Sequence, residues 1–357
     1  MDLSVIIATF NRAASLRRTL EGFTAQQAPA GLTWELMVVD NNSTDQTKQV
    51  CEEYARQAMV GAASPPRPGE ANRGGDAAPT SGLLPLRYIF EPRQGKSAAL
   101  NRAISETSAR LLLFTDDDVD VEPGWLAAYC AAAIRHPHAA FLGGPVRPRW
   151  ETPPPRWLLD HSLDLLDGVT VHVEKGATER VLTAADKPVF GSNMAIRRSA
   201  FAGGLRFRED IGPTNGALMR GEDTELIKQL VARGNAGVYV PDAVAHHRNP
   251  PERMTERYVR HWFMGQGMKL VRLAPTEFTG NHLWRGAPRH LWRKCLSAGA
   301  KYVVTRWTCP ARVWLPAEIQ MARTWGMIQE IRNPKSEAES ARPAKQIRNK
   351  LESGKLE

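Results

Sequence analysis

Three consecutive aspartates, Asp116 to Asp118, have the clearest chemical potential of any motif in the sequence. They follow Leu111–Phe114, an apolar run that is typical of a buried strand. Three adjacent carboxylates repel one another unless a cation or a proton intervenes. Mg²⁺ and Mn²⁺ prefer such oxygen ligands and are commonly shared with substrate phosphates. We therefore predict a site for a divalent metal ion and a diphosphate, the alternative being turn residues that simply follow a strand.

Two further segments carry candidate site residues. Lys96 begins a predicted helix after Gln94-Gly95, and a helix N-terminus with a lysine suits an anion. The spacing matches neither a Walker A motif nor a dinucleotide fingerprint, so Lys96 is equally explained as a solvated helix residue. Glu222 and Asp223 open another predicted helix, where acidic side chains stabilise the helix dipole. From these residues alone, helix capping explains the acidic pair as well as chemistry does.

The elements that must position these residues alternate along the chain. Apolar, strand-like runs precede the polar clusters, and helical patterns lie between them; the clusters are Thr9–Arg12, Asp40–Asp45, Arg93–Lys96 and Asp116–Asp118. This alternation predicts an α/β fold with a Rossmann-like, mostly parallel sheet and helices on both faces. Ligands of such sheets bind at the carboxyl ends of the strands, so we expect the four clusters to share one edge.

The ordered series of motifs resembles the family 2 glycosyltransferases of the GT-A fold over roughly residues 3–260. The resemblance rests on Ser4–Arg12, Val38–Asp45, Gly95–Asn101, Asp116–Asp118, Gly191–Ala195 and Gly221–Asp223. It implies an inverting transferase that moves a sugar from a nucleotide-diphosphate donor, expected to be a UDP-sugar, to a hydroxyl group. The implied acceptor is a lipid, a lipid-linked molecule or a glycan, and the implied cofactor is Mn²⁺ or Mg²⁺.

The resemblance also implies roles for individual residues. Asp223 would be the catalytic base, supported by Glu222. The nucleotide would be bound by Thr9, Asn11, Arg12, Asp40, Lys96, Asp116 and Asp117, with Asp40 accepting a hydrogen bond from a uracil N–H. The metal would be held by Asp118 and His247. The alternative is that a histidine pair such as His246-His247 has only a structural role. The donor sugar and the acceptor would meet Gly191, Asn193 and Met194.

Charge and composition suggest how the chain is divided. We expect a catalytic domain over 1–250, interrupted by a flexible Gly/Pro/Ala-rich loop at 61–82, and a disordered tail over 333–357. Between them, residues 251–332 form a basic helical region with 14 Lys/Arg against 5 Asp/Glu and six of the ten tryptophans. Lys/Arg with Trp and Leu at helical spacing favours peripheral contact with an anionic membrane surface. Packing against the catalytic domain is the main alternative, and no recognised module predicts specific nucleic-acid binding.

Other features bear on location and on competing functions. Four isolated cysteines, no apolar run of about 20 residues and no signal-peptide pattern predict a cytoplasmic protein, which the basic region would bring to the inner face of the membrane. A nucleotidyltransferase acting on a sugar phosphate is an alternative, but Ala8–Arg12 lacks the Gly-rich signature it requires. A non-catalytic binding protein of this fold is a second alternative, against which the intact Asp116–Asp118 and Asp223 count.

Overall fold

The computed structural model describes residues 1–62, 84–159, 166–183, 185–213, 219–278 and 282–333. The loop predicted at 61–82 therefore lies outside the described residues except for Gly61 and Ala62, which end a helix, and the predicted tail lies outside except for Asn333. The chain divides into two compact units. The first is Met1–Pro153, Leu165–Glu209 and Gly221–Pro251, and the second is Pro154–Asp164, Asp210–Arg220 and Glu252 onward.

The first unit is built on an eight-stranded sheet with a three-stranded sheet beside it. Its strands are β1 (Leu3–Thr9), β2 (Trp34–Asp40), β3 (Leu86–Phe90), β4 (Leu111–Asp116), β5 (Val119–Val121), β6 (Phe141–Gly143), β7 (Val146–Trp150), β8 (Arg180–Leu182), β9 (Asn193–Arg197), β10 (Gly237–Tyr239) and β11 (Ala245–Asn249). The large sheet has the order β3-β2-β1-β4-β9-β6-β10-β8, and the small one has the order β5-β11-β7. Strands β1 to β4 are mutually parallel, whereas β9 is antiparallel to both its neighbours and β8 is antiparallel to β10.

Helices cover both faces of the large sheet, as the alternating pattern predicted. The helices of this unit are α1 (Ala13–Phe23), α2 (Thr47–Ala62), α3 (Lys96–Glu106), α4 (Trp125–Arg135), α5 (Asp167–Thr170) and α6 (Glu222–Ala232), with a 3-10 turn at Arg198–Phe201. Alternate residues of β1 point to opposite faces, as a strand requires. Val5 and Ile7 pack in a core with α1, α2 and α4, and Ile6 packs in a second core with α3 and α6.

Three local features depart from what the sequence pattern alone suggests. The apolar run Phe141–Val146 is divided between two sheets, because the chain leaves the large sheet after Gly143 and enters the small sheet at Val146. The apolar run that starts at Val189 enters the large sheet only at Asn193, where β9 begins. At the start of α2, the Asp45 carboxylate accepts a hydrogen bond from the Thr47 N–H at 3.0 Å.

The second unit is helical. It contains α7 (Glu256–Leu273), α8 (Arg289–Thr305) and α9 (Ala311–Arg332), a hairpin of β12 (Leu283–Trp284) and β13 (Ala287–Pro288), and 3-10 turns at Arg156–Leu158, Pro251–Met254 and Pro275–Phe278. Helices α7 and α9 approach closely at Gly267 and Gly326, where an added Cβ would lie 1.9 Å and 2.0 Å from backbone oxygens of the facing helix. Across the described residues, no helix is both long enough and apolar enough to cross a membrane.

Candidate active site

Strand register brings the predicted polar clusters to one edge of the large sheet. Thr9 is paired with Asp40 across β1 and β2, and Ala8 is paired with Asp116 across β1 and β4. All of these residues lie at or next to the carboxyl ends of parallel strands, which is where ligands bind in such sheets. The edge therefore carries carboxylates from β2 and β4, the two strands that flank β1.

A lysine bridges two of the acidic groups. The Lys96 ammonium, on the first residue of α3, lies 2.5 Å from Asp116 Oδ1 and 3.6 Å from Glu222 Oε1. Burial disfavours its charge, but Asp116 and Glu222 outweigh burial and raise the pKa of Lys96. Burial in turn raises the pKa of Glu222, which Lys96 partly opposes. The structure thus joins the aspartate triplet to the start of α6 through one ion-pair network.

Asp117 points into the protein. Its carboxylate accepts hydrogen bonds from Thr9 Oγ1 and Arg12 Nη1, both at 2.7 Å, and only 3% of the residue is exposed. Burial raises the pKa of Asp117 to about 6, against the opposing effect of Arg12. The side chains of Thr9 and Asp117 are therefore buried against each other, and their nucleotide contacts stay a prediction. The two side chains hold the turn that presents the neighbouring aspartates.

The same turn is anchored by Arg248, a residue that the sequence analysis did not select. The Asp117 carbonyl accepts hydrogen bonds from Ser15 Oγ, Thr19 Oγ1 and Arg248 Nη2 at 2.8, 2.9 and 3.0 Å. Arg248 is 2% exposed and also pairs with Asp120. No sequence signal pointed to it beyond its position next to His247.

Asp118 lies between a cation and an imidazole. Its Oδ2 is 3.0 Å from Arg12 Nη2, and its Oδ1 is 3.3 Å from His247 Nε2. The antiparallel pairing of β11 with β5 sets this contact, because it places His247 opposite Val119. Asp118 and His247 are both almost completely buried.

This pair fits a divalent metal ion held jointly with a substrate. The 3.3 Å separation of Asp118 Oδ1 and His247 Nε2 is short enough for both atoms to contact one ion. No group of three or more His, Cys, Asp or Glu side chains that could hold a metal occurs within the described ranges. The protein would thus supply two ligands, and diphosphate oxygens and water would complete the shell, which is how Mg²⁺ is usually bound.

The end of β2 forms the candidate nucleoside site. Asp40 accepts hydrogen bonds from the Ser43 N–H at 2.9 Å and from the Tyr88 hydroxyl at 2.8 Å, and it is 2% exposed. Tyr88 was not predicted; it lies on β3 opposite Val38, and strand pairing is needed to see the contact. Asn11, in a left-handed conformation with φ of 51°, accepts a hydrogen bond from Thr44 N and so fastens the two loops together.

Asp223 is fixed at the start of α6. Its Oδ2 accepts a hydrogen bond from the Gly191 N–H at 2.5 Å, and its Oδ1 accepts one from the Thr224 N–H at 2.6 Å. The absence of a side chain at Gly191 allows this contact, since an added Cβ would lie 3.0 Å from the Asp223 Cβ. The structure thus brings Gly191 and Asp223 together, 32 residues apart in the chain.

Asn193 and Met194 do not line a donor pocket, contrary to the expectation. The Asn193 side-chain oxygen accepts hydrogen bonds from Trp125 Nε1 and Tyr129 Oη, at 2.7 and 2.8 Å, and the residue is completely buried. Its amide nitrogen donates to the carbonyls of Pro145 and Ala243. Met194 is equally buried in the core, because β9 lies inside the sheet. Both residues hold the sheet together.

The fold and the clustered carboxylates define an α/β protein whose candidate ligand site lies at the carboxyl edge of a mostly parallel sheet. The glycosyl transferase family 2 model matches residues 4–66 and 76–204, and the chain belongs to this family. It is a nucleotide-sugar-dependent glycosyltransferase of EC class 2.4. Family membership counts against the nucleotidyltransferase alternative.

Two curated relatives align over most of their length. The chain is 25% identical to the succinoglycan biosynthesis protein ExoM of Rhizobium meliloti, covering 84% of this chain and 82% of the relative. It is 22% identical to the glycosyltransferase AglE of Haloferax volcanii, covering 75% and 73%.

Two solved structures share the fold. The mannosyltransferase PcManGT of Pyrobaculum calidifontis, solved with GDP-Man and Mn²⁺, has a TM-score of 0.51 at 18% identity, covering 98% of this chain and 80% of that one. TarS 1–349 of S. aureus, solved with UDP-GlcNAc, also has a TM-score of 0.51, at 17% identity, covering 92% and 91%.

Proposed function

We propose that this enzyme transfers a sugar from a UDP-sugar to a hydroxyl group of a lipid, lipid-linked or glycan acceptor, with inversion at the anomeric carbon. The observation that carries the proposal is the fixed position of Asp223, whose carboxylate is held by the Gly191 N–H on the opening turn of α6. The preceding residue, Glu222, is linked through Lys96 to Asp116 at the predicted diphosphate site. These contacts support the proposal, because they connect the proposed base to the proposed diphosphate site.

In the proposed reaction, Asp223 accepts the proton of the acceptor hydroxyl as that oxygen attacks the anomeric carbon. The bond from the anomeric carbon to the diphosphate oxygen breaks, and its electron pair leaves with the nucleoside diphosphate. One displacement of this kind needs one base on the face opposite the leaving group and inverts the configuration. Lys96 lies at the diphosphate side, and Asp40 with Tyr88 would receive the uracil. A metal ion bound by Asp118 and His247 would neutralise charge on the leaving group.

The relatives support parts of this proposal. TarS 1–349 was solved with UDP-GlcNAc and PcManGT with GDP-Man and Mn²⁺, so both nucleotides are to be tested as donors. A relative named for succinoglycan biosynthesis supports a glycan acceptor. The basic second unit supports an acceptor at a membrane surface, with the enzyme peripheral to the cytoplasmic face.

The test is a donor screen followed by one substitution. UDP- and GDP-sugars are incubated with enzyme and Mn²⁺, release of nucleoside diphosphate is measured, and NMR gives the anomeric configuration of the product. Asp223→Asn is expected to keep donor affinity and to lose about 10²- to 10⁴-fold in transfer rate, the usual contribution of a general base. A product that retains the donor configuration, or a near-wild-type rate in Asp223→Asn, would refute the mechanism.

A further inference from the structure

The outer face of α8 combines apolar and basic side chains without any acidic group. Leu296, Val303, Val304 and Trp307 are 63%, 65%, 71% and 84% exposed. Their spacing of i, i+7, i+8 and i+11 places them on one side of the helix and of the turn that follows it. Large apolar side chains that cluster in this way on a surface indicate a docking site.

The opposite face of α8 packs inside the second unit. Leu291 and Cys295 are buried with Ile328 of α9, and Trp292 and Trp325 pack against the same cluster. Trp314 is also buried, 3% exposed. Packing therefore accounts for several of the tryptophans in the basic region, but it does not account for Trp307 or for the exposed aliphatic side chains.

The charge of this segment identifies the partner. Residues 282–317 contain seven Lys/Arg and no Asp or Glu. Arg293, Lys294 and Lys301 of α8 are exposed beside the apolar side chains. A helix that carries aliphatic and Trp side chains among Lys/Arg binds in the interface of an anionic bilayer. A self-associating surface or a protein groove has no need of this one-sided charge.

We propose that the outer face of α8, with Trp307, docks the enzyme onto an anionic lipid bilayer. The face lies parallel to the membrane, with the apolar side chains below the headgroups and the basic side chains at the lipid phosphates. This deepens the proposed function by naming the surface that brings the enzyme to a membrane-bound acceptor, and it rests on that function only for the identity of the acceptor.

The experiment uses the full chain and flotation with vesicles of phosphatidylglycerol and phosphatidylcholine, or of phosphatidylcholine alone. Wild type is expected to float with the anionic vesicles and to be released by salt. The triple variant Val303→Ser, Val304→Ser, Trp307→Ser is expected to partition at least about tenfold less, which corresponds to about 1.4 kcal/mol of lost interfacial burial. The matched control is Ile134→Ser, at an 80% exposed position on α4.

Several results would overturn the proposal. They are absence of wild-type flotation, equal flotation of the triple variant, or equal binding to neutral vesicles. Dimerisation of wild type that the triple variant abolishes, without flotation, would assign the face to self-association instead.

Release of nucleoside diphosphate from the donor in solution is measured in parallel, because α8 carries no residue of the candidate active site. Flotation without donor turnover would leave the docking surface intact and refute the proposed function, and the converse would refute the docking surface alone.

Discussion

Replacing Lys96 with methionine tests whether the folded protein needs the positive charge of Lys96 to tolerate the acidic groups around it. The Lys96 ammonium is 2.5 Å from Asp116 and 3.6 Å from Glu222, and the side chain of Glu222 is only 4% exposed. Removing one partner of a buried ion pair costs about 3–5 kcal/mol because the other charge stays unpaired. We expect about 3 kcal/mol here, at the low end of that range, because the Lys96 and Asp116 side chains are each 21% exposed.

The loss should depend on pH with a defined sign. Burial already raises the pKa of Glu222 in the folded protein, and Lys96 opposes this rise. Without Lys96 the folded-state pKa rises further above the unfolded value. A buried carboxyl group of this kind destabilises the folded protein only when it is ionised. The resulting loss in the free energy of unfolding is therefore absent below the unfolded-state pKa of about 4.3 and grows as the pH rises towards the folded-state pKa. The deficit of Lys96→Met relative to wild type should therefore be larger at pH 7 than at pH 5.

Urea unfolding of the full chain at both pH values measures this effect. Adding Glu222→Gln to Lys96→Met should recover a large part of the lost free energy, because it removes the unpaired charge. The control is Lys48→Met, whose 3.8 Å pair with Glu52 on the surface of α2 should contribute less than about 1 kcal/mol. A Lys96→Met variant as stable as wild type at pH 7, or a double variant no better than the single one, would refute the reasoning.

Two further predictions concern the metal and the base. Asp118→Ala should lower donor turnover to the level that EDTA leaves in wild type, because one of the two proposed protein ligands of the metal is lost. Titration of turnover with Mn²⁺ measures this, and full activity of the variant would refute the assignment of Asp118 as a metal ligand. Gly191→Ala should lower the transfer rate about tenfold or more while the donor dissociation constant changes little, since a displacement of catalytic groups by a fraction of an ångström is costly. The added Cβ would lie 3.1 Å from Asp223 Oδ2. Steady-state kinetics measures the transfer rate, and calorimetry measures donor affinity. An unchanged transfer rate would show that Asp223 does not need the hydrogen bond from the Gly191 N–H. Gly22→Ala, where nothing lies within 4 Å of the added atom, is the matched control.

Much of the fold could be predicted because its signals are local. The apolar run of β1 and the polar residues after β1, β2 and β4 are contiguous in sequence, and parallel pairing then brings them to one edge. The side of the turn to which each aspartate points could not be predicted. Asp117 faces inward because of Thr9 and Arg12, which are 108 and 105 residues away.

The misassignment of Asn193 has the same physical origin. Its hydrogen-bond partners Trp125 and Tyr129 are 68 and 64 residues away, on α4, and its motif looks the same whether the side chain faces a ligand or the core. The hydrogen bond from Tyr88 on β3 to Asp40 on β2 likewise joins two strands, so the residues around Tyr88 give no sign of it. Contacts that join distant segments through single side chains produce no periodic pattern in the sequence, so they could not be predicted from it.

The position of β11 determines how the enzyme can be shortened. This strand lies between β5 and β7 and carries His247 and Arg248, so it completes both the small sheet and the support of the aspartate turn. The family model ends at residue 204, before α6, β10 and β11. A fragment cut there would lose Asp223 and leave the edges of β5, β6 and β7 unpaired, and unpaired edges promote aggregation. A shortened enzyme that is to keep Asp223 and the pairing of β11 must therefore extend at least through Asn249.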